Sequence, residues 1–201
     1  MISFNEAKNN NNYLHNIFIH SQAITKFTSM KTFIYKISQI FFIITMPFMA
    51  SAQNPEGFET MAKKMADKTV PIIKSAQVVK LQAKGKKIVF LDARELSEFK
   101  VSHIKGAKHI GYNDFDLNSV KGIDKNATIV IYCSVGYRSS KIGKKLREAG
   151  FTSVFNLWGG LFDWANNGNP VFANDQEVKF VHPYNNNWGK WLKPELRSKL
   201  D

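Results

Sequence analysis

The sequence predicts an α/β protein built on a small parallel β-sheet flanked by helices on both faces. Residues 88–91 and 127–132 are short runs of β-branched and aromatic residues, apolar at nearly every position. Such runs are typical of strands that are buried on both faces of a parallel sheet. Segments with helical spacing separate the strands, and this alternation of strand and helix indicates helices on both sides of the sheet.

The other elements are predicted from spacing and from helix start and stop signals. Residues 53–69 have apolar positions three and four apart and are expected to form an N-terminal helix or linker. Ser75 is expected to cap a second helix that ends at Gly85. Four further elements are predicted up to the glycine pair Gly159 and Gly160: a short helix at 95–101, a strand at 109–110, a helix at 139–149 and a strand at 153–157.

A last helix is predicted through Trp164 to Asn167. We place the α/β domain at residues 70–172 and treat residues 173–201, rich in aromatic and basic residues, as an extension outside the alternation. In this extension we expect Trp188, Trp191 and Leu192 to pack over the domain, with a partner-binding surface as the alternative. Its Lys and Arg residues are interpreted as a solvated face.

Composition excludes several classes of protein. The chain has 201 residues and a single cysteine, so an intramolecular disulfide, a four-cysteine zinc site and a two-cysteine redox mechanism within the chain are excluded. Lys and Arg number 28 against 16 Asp and Glu, a net charge of +12. This excess fits a nucleic acid, an anionic membrane or a small anionic substrate, and composition alone does not choose among them.

Residues 30–52 have the three zones of a secretory signal peptide. Lys31 and Lys36 precede the apolar residues 40–49, and small residues follow at 50–52. The apolar run is about half of the ~20 residues that span a bilayer, so we favour cleavage over membrane anchoring. We therefore expect an exported chain, periplasmic or secreted, with no stable membrane insertion after cleavage. Residues 1–29 are then a non-native or disordered extension before a true start at Met30.

Cys133 lies where a predicted strand ends and a helix begins. The start of a helix presents unpaired N–H groups, which stabilise a thiolate and any anion brought to it. Gly136 allows the loop to turn with a positive φ, so that successive amides point inward, and Arg138 supplies a fixed positive charge. The alternative is a small buried core residue, the common state of a free cysteine. The glycine and arginine that follow favour a reactive cysteine.

Four ordered motifs resemble the rhodanese family of single-domain sulfurtransferases. Asp92 and Arg94 form a D-x-R pattern, and residues 102–110 follow as S-H-I-K-G-A-K-H-I, with Ser102 where the family usually has glycine. Residues 133–139 resemble the active-site loop of the family, and residues 157–161 resemble its closing L-x-G-G-hydrophobic motif. The resemblance covers the predicted domain.

The resemblance implies a cofactor-free sulfurtransferase in which Cys133 becomes a persulfide. The donor is a small anion such as thiosulfate, and cyanide or a thiol is the acceptor. Arg138 is expected to clamp the anion, and Val135 and Tyr137 to line the mouth of the site. The expected substrate-binding cradle consists of Ser134, Val135, Gly136, Tyr137, Arg138 and Ser139. Because the chain has one cysteine, the persulfide must be removed by an external acceptor.

Other polar residues receive structural interpretations. Asp92 and Arg94 are expected to form an ion pair that braces the loops, and His103 a hydrogen-bonding strut. Ser139 and Ser140 are read as helix caps, although either hydroxyl could also reach the sulfur. His109 and His182 show no ligand spacing, so no metal is expected.

Two rival functions remain open. The first is a non-enzymatic module of the same fold that carries sulfur or binds a partner protein. The second is a cysteine phosphatase, whose loop has one residue more between cysteine and arginine than the four present here. The shorter loop argues against a phosphate substrate, and export argues against nucleic acid. The basic excess survives signal removal, because residues 1–52 hold only four Lys and one Glu.

Overall fold

The computed structural model describes residues 55–200. The predicted extension of residues 1–29 and the predicted signal of residues 30–52 lie outside this part of the chain. The predicted fold class is confirmed, because five parallel strands form one sheet with helices on both faces. The strands are β1 (Ile72–Ile73), β2 (Val89–Asp92), β3 (Lys108–His109), β4 (Ile129–Tyr132) and β5 (Val154–Leu157).

Five α-helices lie close to their predicted positions, whereas the sixth and the two 3-10 helices were not predicted. The helices are α1 (Pro55–Met65), α2 (Ser75–Ala83), α3 (Leu96–Val101), α4 (Tyr137–Glu148), α5 (Gly160–Asn166) and α6 (Asn186–Gly189), with short 3-10 helices at Leu117–Val120 and Pro194–Leu196. An antiparallel hairpin of β6 (Val171–Ala173) and β7 (Gln176–Val178) stands apart from the main sheet. No helix within residues 55–200 has the length and apolarity needed to cross a bilayer.

The order of strands across the sheet is β1, β5, β4, β2, β3. The central strand β4 alternates its side chains between two apolar cores. Val130 and Tyr132 contact the core built with α2 and α5, whereas Ile129 and Ile131 contact the core built with α4. Every β4 side chain is therefore buried, which explains its continuous apolar sequence. The carboxyl end of β4 delivers the chain directly to Cys133.

Two predicted helix caps are wrong. The residue that precedes α2 is Lys74, so Ser75 lies inside the helix, and its hydroxyl donates to Asp163 Oδ2 at 3.0 Å. Gly136 precedes α4, which places Ser139 and Ser140 in its first turn rather than at its cap. The sequence predicts a helix start at Ser139 because serine is a common helix cap, whereas the structure starts the helix at Tyr137.

The C-terminal residues pack against the rest of the protein. Val181 and Leu192 are fully buried in the same core as β4 and α5, and the Trp191 ring lies 5.8 Å from that of Phe58 in α1. Asn166 Nδ2, in α5, donates to Trp191 O at 2.8 Å. These contacts agree with the packing expected of the extension.

Candidate active site

Cys133 lies in a tight turn between β4 and α4. Gly136 has a φ of 105°, a conformation that side chains other than glycine's strongly disfavour. This turn brings the Gly136 amide back to the sulfur, so that N donates to Cys133 Sγ at 3.1 Å. Cys133 is 1% exposed. The sulfur is thus held by a backbone donor and shielded from bulk solvent.

The rest of the loop leaves its amides available. Within the described residues, the N–H groups of Ser134, Val135, Tyr137, Arg138 and Ser139 donate to no protein acceptor. The last three belong to the first turn of α4, where N–H groups have no partner inside the helix. Unpaired amides and the positive end of a helix dipole favour negative charge nearby. The loop can therefore stabilise a thiolate or a persulfide anion.

The start of α5 holds the loop from the other side. Leu161 N donates to Cys133 O at 2.8 Å, and Phe162 N donates to Ser134 O at 3.1 Å. Gly160 permits this approach, because a Cβ there would overlap Cys133 O and lie 2.7 Å from Ser134 O. The second glycine of the 157–161 motif is thereby explained by close packing of α5 against the cysteine loop.

Ser139 fixes the loop through a neighbouring strand. Its hydroxyl donates to Asn156 Oδ1 at 2.7 Å, and Asn156 Nδ2 donates to Gly136 O at 2.9 Å. Both side chains are buried. The Ser139 side chain is therefore engaged in the scaffold, and its predicted binding role rests on its amide. The Ser140 hydroxyl donates to Tyr137 O at 2.8 Å.

Arg138 is held by the carboxylate of Glu98, which was not among the predicted site residues. Its Nη1 and Nη2 donate to the two oxygens of Glu98 at 2.7 and 2.9 Å. Nη2 also donates to Ser134 Oγ at 2.9 Å, and that hydroxyl donates to Glu98 at 2.8 Å. A Glu in α3 is thus joined to the cysteine loop by a closed set of hydrogen bonds.

The charges of this pair support one another. Burial would raise the pKa of Glu98, but the hydrogen bonds and charge of Arg138 outweigh it and lower the pKa below its usual value. Burial would lower the pKa of Arg138, but the hydrogen bonds that it donates to Glu98 and the negative charge of a Cys133 thiolate raise it. Both groups therefore stay ionised. The charge available to clamp an anion is reduced, because Glu98 already neutralises Arg138.

A cavity of about 310 Å³ opens over the cysteine. It is lined by Met65, Cys133, Ser134, Val135, Tyr137, Arg138, Tyr184 and Trp188. Five of these belong to the loop, including the predicted mouth residues Val135 and Tyr137. The other three, Met65 from α1 and Tyr184 and Trp188 from the C-terminal segment, were not among the predicted site residues. The aromatic content of the tail was the available signal, but it was interpreted as packing over the domain or as a partner-binding surface.

Asp92, Arg94 and His103 lie outside the cavity lining. Asp92 and Arg94 form a fully buried ion pair, with Nη2 and Oδ2 2.7 Å apart, and Arg94 Nη2 also donates to Ser102 O. The His103 ring stacks on Phe99 with centroids 4.0 Å apart, and its Nδ1 is 3.0 Å from Phe99 O. These three residues brace the loops around the site rather than face the sulfur. In residues 55–200, no cluster of three or more His, Cys, Asp or Glu could hold a metal.

Comparison with known proteins identifies a family with which this chain shares sequence similarity. A family model for a rhodanese-like domain matches residues 75–167. The chain is 32% identical over 81 residues to the thiosulfate sulfurtransferase GlpE of Coxiella burnetii, which covers 40% of this chain and 75% of that protein. It is 34% identical over 89 residues to the probable adenylyltransferase/sulfurtransferase MoeZ of Mycobacterium tuberculosis, covering 43% of this chain and only 22% of that protein.

Two further similarities were found. The putative sulfur carrier protein YrkF of Bacillus subtilis is 32% identical over 74 residues, covering 37% of this chain and 40% of that protein. Among solved structures, the rhodanese-like domain of Alr3790 from Anabaena sp. aligns with a TM-score of 0.48 at 26% identity, covering 52% of this chain and 80% of that one. The family model and the extent of the GlpE match show that the chain belongs to the rhodanese-like family.

Proposed function

We propose that this protein is a sulfurtransferase that carries sulfane sulfur on Cys133. The observation that carries the proposal is the position of Sγ, at the base of a cavity and inside a loop whose amides are unpaired. Thiosulfate is the proposed small donor, and cyanide or a thiol the proposed acceptor. The sulfurtransferases among the relatives support this activity.

In the first half-reaction, the Cys133 thiolate attacks the outer sulfur of thiosulfate. An S–S bond forms to Cys133 as the S–S bond of the donor breaks, and sulfite leaves with the electron pair. The product is a Cys133 persulfide anion. The Gly136 amide, already bonded to Sγ at 3.1 Å, and its unpaired neighbours favour the anion before and after the transfer.

In the second half-reaction, an external nucleophile attacks the terminal sulfur. Cyanide leaves as thiocyanate, or a thiolate leaves as a new persulfide, and the Cys133 thiolate is regenerated. Because the chain has one cysteine, no second thiol of the same molecule can compete as acceptor. The order of events predicts ping-pong kinetics.

The proposal is tested by measuring thiocyanate formation from thiosulfate and cyanide. Replacing the nucleophile, Cys133→Ser, should lower the rate at least about a thousandfold. Phe180→Ala, at an exposed residue outside the cavity lining, serves as the control and should retain the wild-type rate. Circular dichroism melts of both variants establish that they are folded. Sulfur transfer that persists in Cys133→Ser would reject the proposal.

The second candidate is a sulfur carrier or partner-binding module without turnover of its own. The engagement of Arg138 by Glu98 favours it, because the cation that would attract a dianionic donor is already neutralised. Such a module would accept sulfur from another protein and show no turnover with thiosulfate. Incubation with thiosulfate and an excess of cyanide, followed by measurement of sulfite release over many turnovers, separates the two candidates.

We further propose that the protein is exported after cleavage of residues 30–52, so that the mature chain begins near Gln53. N-terminal sequencing of the protein recovered from the periplasm or medium is the test. A mature chain that begins well before residue 50, or one retained in the cytoplasm, contradicts the proposal.

A further inference from the structure

The cavity over Cys133 has apolar walls that come from outside the cysteine loop. Met65 ends α1, and Tyr184 and Trp188 belong to the segment after the β6–β7 hairpin. All three lie outside residues 75–167, which match the family model. The walls are therefore a feature added to the domain by its flanking segments.

The charged side chain that lines the cavity, Arg138, is already paired. Arg138 and Ser134 are bonded to Glu98 and to each other, and the Tyr184 ring lies over the Arg138 guanidinium at 4.9 Å. Lys141, near the Tyr137 ring, has its Nζ 3.6 Å from Asp67 Oδ2. A dianion placed against the side chains of Met65, Val135 and Trp188 would lose hydration without gaining a partner.

The size of the cavity also exceeds that needed for a small inorganic anion. A volume of about 310 Å³ lies at the lower end of the range for organic ligands. The side chains of Val135, Tyr137 and Trp188 supply surface for an apolar group, while the unpaired loop amides remain for the sulfur. The site therefore offers hydrogen-bond donors for sulfur and apolar surface for hydrocarbon.

We propose that the preferred acceptor of the Cys133 persulfide is a small organic thiol with an uncharged apolar group, which Tyr184 and Trp188 hold. This inference rests on the sulfurtransferase function proposed above. In the step, the acceptor thiolate attacks the terminal sulfur, its new S–S bond forms as the S–S bond to Cys133 breaks, and the Cys133 thiolate leaves. The organic persulfide departs with the transferred sulfur, and no external oxidant or reductant is needed.

The test uses full-length protein loaded with inorganic polysulfide, freed of excess reagent and mixed with one acceptor in a single turnover. The acceptors are 2-phenylethanethiol, 2-mercaptoethanesulfonate and cyanide, and the loss of the persulfide is followed by intact mass. The variants are Tyr184→Ala and Trp188→Ala, with Phe180→Ala as the matched aromatic control in the same segment. Each acceptor is compared with itself across variants, so differences in thiol basicity cancel.

Each cavity variant should slow transfer to 2-phenylethanethiol roughly tenfold, because apolar contact with the ring is lost. Transfer to the sulfonate and to cyanide should stay within about twofold, and Phe180→Ala should leave all three rates unchanged. Equal changes for all acceptors, or a wild-type preference for the sulfonate, would overturn the inference. Trp188→Phe, which keeps an aromatic ring, guards against a variant that fails to fold.

A second measurement separates this inference from the proposed function. Cys133 is the one cysteine of the chain, so alkylation reports on its cavity whether or not sulfur is transferred. N-benzyliodoacetamide should react faster than iodoacetate in the wild type, and Trp188→Ala should remove most of that advantage. If no persulfide forms but this preference holds, the proposed function fails and the apolar site stands. If iodoacetate reacts as fast, the apolar site fails.

Discussion

Two arginine–carboxylate pairs lie at the same end of the sheet, and they differ in what they face. The pair of Arg94 and Asp92 is 0% exposed on both sides and is surrounded by protein. In the pair of Arg138 and Glu98, the arginine side chain is 13% exposed and lines the cavity over Cys133. The first pair braces the loops, whereas the second places a neutralised guanidinium beside the reacting sulfur.

The difference teaches that an arginine in an active-site motif does not by itself provide a free positive charge. Arg138 belongs to the predicted anion cradle, but Glu98 holds two of its nitrogens. Its guanidinium also donates to Ser134 Oγ and interacts with the side chain of Cys133. The two pairs should therefore respond differently to loss of their carboxylates.

The largest effect on stability is expected at the fully buried pair of Arg94 and Asp92. Asp92→Asn leaves the Arg94 charge buried without a counterion, which costs about 3–5 kcal/mol of unfolding free energy. Urea denaturation measures the loss, and Asp114→Asn, at an exposed site, is the matched control with little change. A loss below about 1 kcal/mol at Asp92 would mean that water reaches Arg94 and that the two pairs are alike.

A smaller loss of unfolding free energy is expected at the pair of Arg138 and Glu98, which lies at the cavity. Glu98→Gln removes one charged hydrogen-bond acceptor that water can partly replace, so the unfolding free energy should fall by about 1–3 kcal/mol. The freed charge of Arg138 should also lower the KM for thiosulfate by a factor of roughly two to five, the scale of a partly exposed ion pair. Glu95→Gln is the comparison variant: Glu95 Oε1 is 3.9 Å from Arg138 Nη1, beyond hydrogen-bond distance, so this change should affect the KM less than Glu98→Gln does. An unchanged KM would show that Glu98 does not limit anion binding.

The smallest expected effect is the change, at acid pH, in how much Glu98 contributes to the unfolding free energy. Because the folded-state pKa of Glu98 is lowered, its contribution to stability is present above its unfolded pKa, near 4.5, and is lost as pH falls through the folded value. The difference in unfolding free energy between wild type and Glu98→Gln should therefore be constant from pH 7 to about 5 and shrink below that. A difference that grows on acidification would contradict the lowered pKa.

Sequence reasoning succeeded where the signal is local. The strands 88–91 and 127–132 were placed within two residues at each end, because burial on both faces leaves an unbroken apolar run. The β6–β7 hairpin was missed, since its turn uses Asn174 and Asp175 at positive φ without a glycine. Strand β1 was not identified as a strand, because two residues carry no periodicity.

In the site, too, the residues with a local sequence signal were predicted and the others were not. Residues 133–139 are contiguous, so their motif predicts the loop. Glu98 lies 40 residues before Arg138, which it bonds, and Met65, Tyr184 and Trp188 meet the loop only after folding. No spacing rule connects residues that approach through tertiary packing, and an acidic or aromatic residue on the surface has the same sequence signature as one at a cavity.

The central claim is that Cys133 carries the sulfur, and intact mass spectrometry tests it directly. Wild-type protein treated with thiosulfate, or with polysulfide, should gain about 32 Da and lose it again when cyanide or a thiol is added. Cys133→Ser should gain nothing under the same conditions. Failure of the wild type to gain this mass, or a gain of equal size on Cys133→Ser, would contradict the claim.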